Sequence, residues 1–174
     1  MAKIIYKEGC EGENKLSSIK GIEIELLNGQ KALIYPKYIE KPMLYSEKIS
    51  KWDAVNETEI EALKRTSTAF ETECLREIDS PAAQWVSQFK YGKYSNFALP
   101  SFLAAMEIQH QREEIDDLAE TIEGADLLRY YTSGIWSCSR SGASFCRYVD
   151  VIYGYVCNYN LSNSCLVVPT ILYK

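Results

Sequence analysis

Between Gly21 and Pro36 the chain reads GIEIELLNGQKALIYP, with apolar Ile22, Ile24 and Leu26 alternating with Glu23 and Glu25. A period of two marks a strand with one buried face. Asn28-Gly29 supplies the positive φ values of a tight turn, and Lys31–Tyr35 is the predicted returning strand of a hairpin. Pro36 and Pro42 bracket an irregular exit. The period then lengthens. Asn56 and Glu59 form a capping-box-like start, and Ile60, Leu63, Ser67, Phe70, Cys74 and Ile78 recur at spacings of three and four, one face of a helix. Ser80-Pro81 opens a second helix that puts Ala82, Trp85, Val86 and Phe89 together before Gly92. After Leu99-Pro100-Ser101 a third helical pattern runs to about Ile122 and ends at Gly124. Its polar middle, HQREEIDD, predicts a bent or broken pair of short helices, with Glu113, Glu114, Asp116 and Asp117 on a solvated face.

From Tyr130 onward short β segments are expected. Tyr148–Val151 and Leu166–Leu172 read as strands, Gly134, Gly142 and Gly154 mark turns, and Cys157–Cys165 (CNYNLSNSC) reads as a loop rich in Asn and Ser. Helices first and strands last predict an α+β class rather than alternating βαβ units.

Composition narrows the classes without naming one. The 174 residues are 47% hydrophobic and 25% charged, the balance of an ordinary globule. No apolar run approaches the roughly 18 residues of a spanning helix, so no membrane insertion is expected. The opening MAKIIYKEGCEGEN lacks the apolar core of a secretory signal. Charge is uneven. Residues 127–174 hold one acidic side chain, Asp150, against four basic ones, so the acid excess behind the net charge of −5 lies upstream. Seven of the 13 tyrosines also fall after residue 129. A pI near 5.1 with scattered cations makes no basic stripe, and nucleic acid is not an expected partner.

Chemistry is thin. The six cysteines, at 10, 74, 138, 146, 157 and 165, form no C-x-x-C pair, and His110 has no ligand at metal spacing, so no metal site is expected. Free thiols fit a reducing compartment, while an even count leaves disulfides open. YTSGIWSCSRSGAS lacks the spacing of a phosphate loop, and no Ser or Cys has a basic partner in evidence. A single carboxylate downstream of residue 126 leaves too few ligands for calcium. No cofactor and no enzymatic activity are expected. Binding is easier to build from the Tyr, Arg, Asn and Ser of the last 45 residues, a composition that joins rigid contact area to adaptable hydrogen bonds.

Four segments in order carry a resemblance: Asn96-Phe97-Ala98-Leu99-Pro100-Ser101, Ile135-Trp136-Ser137-Cys138-Ser139, Tyr148-Val149-Asp150-Val151-Ile152-Tyr153-Gly154, and Leu166-Val167-Val168-Pro169-Thr170. With them, residues 52–174 resemble the C-type-lectin-like domains of phage tail-fibre and prophage proteins and of gut-bacterial surface proteins. These lie near the variable proteins of diversity-generating retroelements. The resemblance implies a C-type-lectin-like fold with Trp136, Val149, Gly154 and Val167 as scaffold. The Glu-Pro-Asn and Trp-Asn-Asp signatures of calcium-dependent sugar binding are missing, so it implies the fold and not that activity. It also implies a displayed ligand-binding face over 140–165: Arg140, Ser141, Ser144, Phe145, Arg147, Ile152, Tyr153, Tyr155, Cys157, Tyr159, Leu161, Asn163 and Cys165.

The resulting expectation is a two-part chain. Residues 1–50, with their β-hairpin, would mount or oligomerise the protein, and 51–174 would form the lectin-like domain. The function implied is non-enzymatic binding to a protein or glycan on a bacterial host surface, by a phage- or prophage-encoded protein on a virion or cell surface. A homo-oligomer, a trimer on a fibre, or contacts with other virion proteins would follow. The alternative is a structural virion protein that uses the same fold for assembly. A third reading, borrowed from the formylglycine-generating branch, pairs Cys157 with Cys165 but lacks a base.

Overall fold

The computed structural model describes residues 1–43, 80–86, 88–91, 95–140 and 145–173. The helix expected from Asn56 to Ile78, with Cys74, lies outside them, as do Gly92, Ser141, Gly142 and Ser144.

The described residues are α+β, with two principal sheets. The first takes β1 (Lys3–Tyr6), β2 (Ile19–Glu25), β3 (Lys31–Ile34) and the C-terminal β11 (Thr170–Tyr173), in the order β1-β2-β3-β11, all antiparallel. The hairpin read from the sequence is β2–β3, and Gly29 turns it at φ 79°, a conformation costly for any residue with a Cβ. The second sheet runs β4-β10-β7-β8-β9, from β4 (Ile39–Pro42), β7 (Gly134–Arg140), β8 (Phe145–Asp150), β9 (Val156–Asn160) and β10 (Ser164–Val167). Its β10–β7 pair is parallel. Two residues each of β5 (Lys90–Tyr91) and β6 (Ser95–Asn96) form a small ribbon.

Among the described residues three short α-helices accompany the sheets: α1 (Pro81–Val86), α2 (Phe102–His110) and α3 (Arg112–Glu120). The Ser80 and Ser101 hydroxyls accept the N–H groups of Ala83 and Ala104, capping α1 and α2. The expected break in the third helical pattern falls at Gln111, between α2 and α3.

Two apolar clusters sit on opposite faces of the five-stranded sheet. One gathers Ile22, Ile24, Phe102, Ile108, Ile115, Ile135, Val149 and Leu166 under α2 and α3. The other gathers Leu33, Ala82, Val86, Phe97, Trp136, Cys138, Cys146 and Cys165 with α1. Neighbours in a strand alternate between them, as Ile135 and Trp136 do.

Three expectations need correction. The N-terminal segment is not set apart at residue 50: β3 pairs with β11, β4 pairs with β10, and Ile22 and Ile24 share a core with α2 and Val149. The stretch Cys157–Cys165 is not a loop, because β9 and β10 occupy most of it around a tight turn. Asp116 does not belong to a solvated face; it is buried, accepting the N–H groups of Leu128 and Arg129.

Candidate binding face

Strands β8 and β9 position the residues of interest. The register pairs Cys146 with Tyr159 and Tyr148 with Cys157, and the same alternation carries Tyr155 onto that face. Trp136 lies beneath, fully buried, its indole N–H donating to the Lys41 carbonyl at 2.9 Å. Tyr148 and Tyr159 both pack on it, at 6.5 and 6.2 Å, and lie 4.9 Å from each other, between ring centroids. The three rings form one group that runs from the buried indole to the partly exposed Tyr159. Gly134 makes room for it: a Cβ there would lie 1.6 Å from the Tyr148 ring.

Two further rings are exposed, Tyr153 at 72% and Tyr155 at 67%, with centroids 5.8 Å apart. Their turn is tied down from several sides. The Asp150 carboxylate accepts the N–H groups of Ile152 at 2.9 Å and Tyr153 at 2.7 Å. The Asp150 N–H donates to the Tyr155 carbonyl at 2.8 Å, and Arg112 from α3 donates to the Val151 carbonyl at 2.6 Å. Gly154, at φ 72°, sits where a Cβ would come within 2.8 Å of the Gln109 side chain. Rings on a pinned turn lose little freedom on binding. At the far end of β9, the Asn160 side chain accepts the N–H and hydroxyl of Ser162, leaving Asn163 exposed on that turn.

The expected residues thus divide. Tyr153, Tyr155, Cys157 and Tyr159 come together and are exposed, with Ile152 on the adjoining turn. Phe145 is exposed too, but alternation along β8 puts it on the opposite side from Tyr148. Arg140 ends β7, while its side chain lies outside the described residues, as do Ser141 and Ser144. Three positions expected on display are buried instead. Arg147, 8% exposed, turns toward α2 with its guanidinium over the Phe102 ring, 5.7 Å from the centroid. Leu161 and Cys165 join the cluster around Trp136. Their chain segment is surface-like in composition, but the crossing from β9 to β10 carries it over the core.

The sequence reading missed Tyr148, Asp150 and Arg112. Asp150 was legible in principle: an Asp two and three residues ahead of the amides it accepts, with Gly154 next, is a side-chain-held turn. Arg112 was not, because its contact spans 39 residues.

The electrostatics are those of a neutral patch. No charged residue occurs from 151 to 173. Burial, reinforced by the hydrogen bond with Cys157, pushes the Tyr148 phenol up to about 12, and burial pushes the Cys165 thiol up to about 12. Both stay protonated at neutral pH. The described cysteines, Cys10, Cys138, Cys146, Cys157 and Cys165, are free thiols. Among the described residues no group of three His, Cys, Asp or Glu is placed to hold a metal, and no helix is long and apolar enough to cross a membrane. On the other side of the sheet an open groove of about 250 Å3 runs past Glu107, Gln109, His110 and Gly154. It adjoins the turn of Tyr153 and Tyr155 without including either ring. The chain matches no family model, no curated protein and no solved structure.

Proposed function

We propose that this protein is a non-enzymatic binding protein, phage- or prophage-encoded, built on a C-type-lectin-like scaffold. Its ligand is a protein or glycan on a bacterial host surface, met at a virion or cell surface. The observation that carries the reading is the pair Tyr153 and Tyr155, both largely exposed on a turn fixed by Asp150 and Arg112. Aromatic anchors on a rigid support, rimmed by Asn and Ser, are the usual source of affinity in a recognition surface. Tyr159 and Cys157 extend the surface along β9, and Ile152 and Asn163 lie at its margins. The resemblance carried by the Trp136 and Tyr148–Gly154 segments supports the scaffold.

A second reading, a structural virion protein using the same face for assembly, is favoured by the absence of charge from 151 to 173. Native mass and intact-cell binding, measured on wild type and on the Tyr153→Ala, Tyr155→Ala double variant, separate the two. Under the first reading wild type binds bacterial cells and the double variant loses at least about tenfold, the scale of a lost hot spot. Wild type that ignores cells but forms a closed assembly with other virion proteins, lost in the double variant, overturns it in favour of the second.

A further inference from the structure

We propose that the outer edge of β9, unpaired among the described residues, is a self-docking edge, on which a second copy of this chain adds its own β9 antiparallel and extends the sheet across a two-fold axis. The inference stands on the strand edge and does not depend on the receptor reading.

The main-chain directions follow from the register. Asp150 N–H donates to the Tyr155 carbonyl, so Asp150/Tyr155 is a hydrogen-bonded position, and Tyr148/Cys157 and Cys146/Tyr159 follow at intervals of two. Val156, Asn158 and Asn160 therefore direct their N–H and C=O groups away from β8, to the outer edge. The Asn160 carbonyl is taken by the Asn163 N–H. Val156 and Asn158 present theirs to the outside, with no further strand of the sheet beyond β9 among the described residues.

Exposed edges are usually blunted by Lys, Pro, bulges or a covering segment. The other edges of the two principal sheets follow that rule. β4 carries Glu40, Lys41 and Pro42. β1 carries Lys3 and a bulge after Ile5. β11 is covered at Thr170 by reciprocal bonds with Ala98. β9, VCNYN, has neither charge nor proline, and its pairing with β8 runs without a bulge.

The occupant is indicated by symmetry in the strand itself. Tyr155 and Tyr159 stand two residues either side of Cys157 on one face. An antiparallel pairing centred on Cys157 sets Val156 against Asn158 of the second copy, and the reverse, both with outward-facing groups. Four main-chain hydrogen bonds result. It also sets each Tyr155 opposite a Tyr159 in a non-hydrogen-bonded position, where side chains approach most closely and aromatic pairs contribute. The two Cys157 residues face one another across the axis with Cα atoms about 4.5 Å apart, within disulfide range. A chain of net charge −5 meets no like-charge repulsion along this edge, since residues 151–173 are uncharged.

The test uses sedimentation at micromolar concentration and cross-linking by diamide, which takes two protons and two electrons from a pair of thiols as the S–S bond forms. Wild type is expected to sediment at twice 19.9 kDa and to give a diamide-linked dimer that reducing agent reverses. Cys157→Ser should remain a dimer but lose the cross-link. Asn158→Pro, which removes an outward N–H while sparing the β8 pairing, should be monomeric with unchanged circular dichroism. Asn158→Lys, which adds charge beside the axis, should be monomeric too and stands in if the proline variant fails to fold. A monomeric wild type overturns the proposal, as does a dimer that survives both Asn158 variants. A dimer that diamide does not link through Cys157 overturns the pairing register. Asn158→Pro keeps Tyr153 and Tyr155, so loss of the dimer and loss of cell binding are read separately.

Discussion

Asp116 on α3 accepts the Leu128 N–H at 2.7 Å, and its second oxygen takes the Arg129 N–H at 2.9 Å. One carboxylate thereby ties the helix to the turn that leads into β7. Burial raises this carboxyl above its ordinary value, while the two amides and the nearby Arg129 and Arg112 pull it back. Asp116→Ala would leave both amides without an acceptor, and a lost buried hydrogen bond costs about 1–3 kcal/mol. The urea midpoint should fall with little change in slope. An unchanged midpoint would show that water satisfies the two amides equally well.

Arg147 and Tyr155 look alike in the sequence, both being large side chains in a Tyr-rich segment, yet they should behave in opposite ways. Arg147 is buried over Phe102, and Tyr155 is largely exposed. Arg147→Ala loses packing as well as charge and should cost about 1–3 kcal/mol. Tyr155→Ala should stay within about 0.5 kcal/mol of wild type, as surface changes do. Thermal or urea unfolding of the pair decides it, and equal destabilisation would contradict this placement.

Gly134 tests whether the packing of Trp136, Tyr148 and Tyr159 depends on its support. A Cβ there would meet Tyr148 at 1.6 Å, so Gly134→Ala must push the ring aside. Overpacking of this kind costs about 1–3 kcal/mol. Near-ultraviolet circular dichroism should change with it, because Tyr148 packs against both Trp136 and Tyr159. A spectrum identical to wild type would mean that the ring has room to spare.

Alkaline pH should weaken the fold through Cys165. Burial, with Glu40 and Cys146 nearby, pushes this thiol from 9.0 to about 12. Between those values the unfolded chain has released the proton and the folded chain still holds it, so the folded state binds more protons and stability falls as pH rises. The contribution is whole below pH 9.0 and is lost as pH passes about 12. Tyr148, raised from 10.0 to about 12 by burial and by its bond with Cys157, adds to the same slope from pH 10.0 upward. Urea midpoints across this window should decline, and less steeply in Cys165→Ala. In the native protein at neutral pH, a thiol reagent followed by peptide mapping should label exposed Cys157 and spare Cys138, Cys146 and Cys165.

Local signals were legible where neighbours in sequence are also neighbours in space. Ile22, Ile24 and Asn28-Gly29 specify the β2–β3 hairpin because alternation and a left-handed turn are properties of the segment alone. Ser80-Pro81 and the polar stretch from His110 likewise reveal a helix start and a break. The candidate face was half legible. Tyr153, Tyr155 and Tyr159 lie exposed, as their Tyr-rich segment suggests, while Arg147, Leu161 and Cys165 of the same segment are buried.

The sequence by itself determined the α+β class, the hairpin, the α2–α3 break and the neutral, Tyr-rich character of residues 151–173. Tertiary structure alone decided that β3 meets β11, that β4 meets β10, and that Arg147 turns to Phe102 while Tyr148 turns to Trp136. The physical reason is range. Periodicity and turn chemistry act over a few residues, but which side of a central strand is solvent depends on what packs there, and those partners lie far off in the chain.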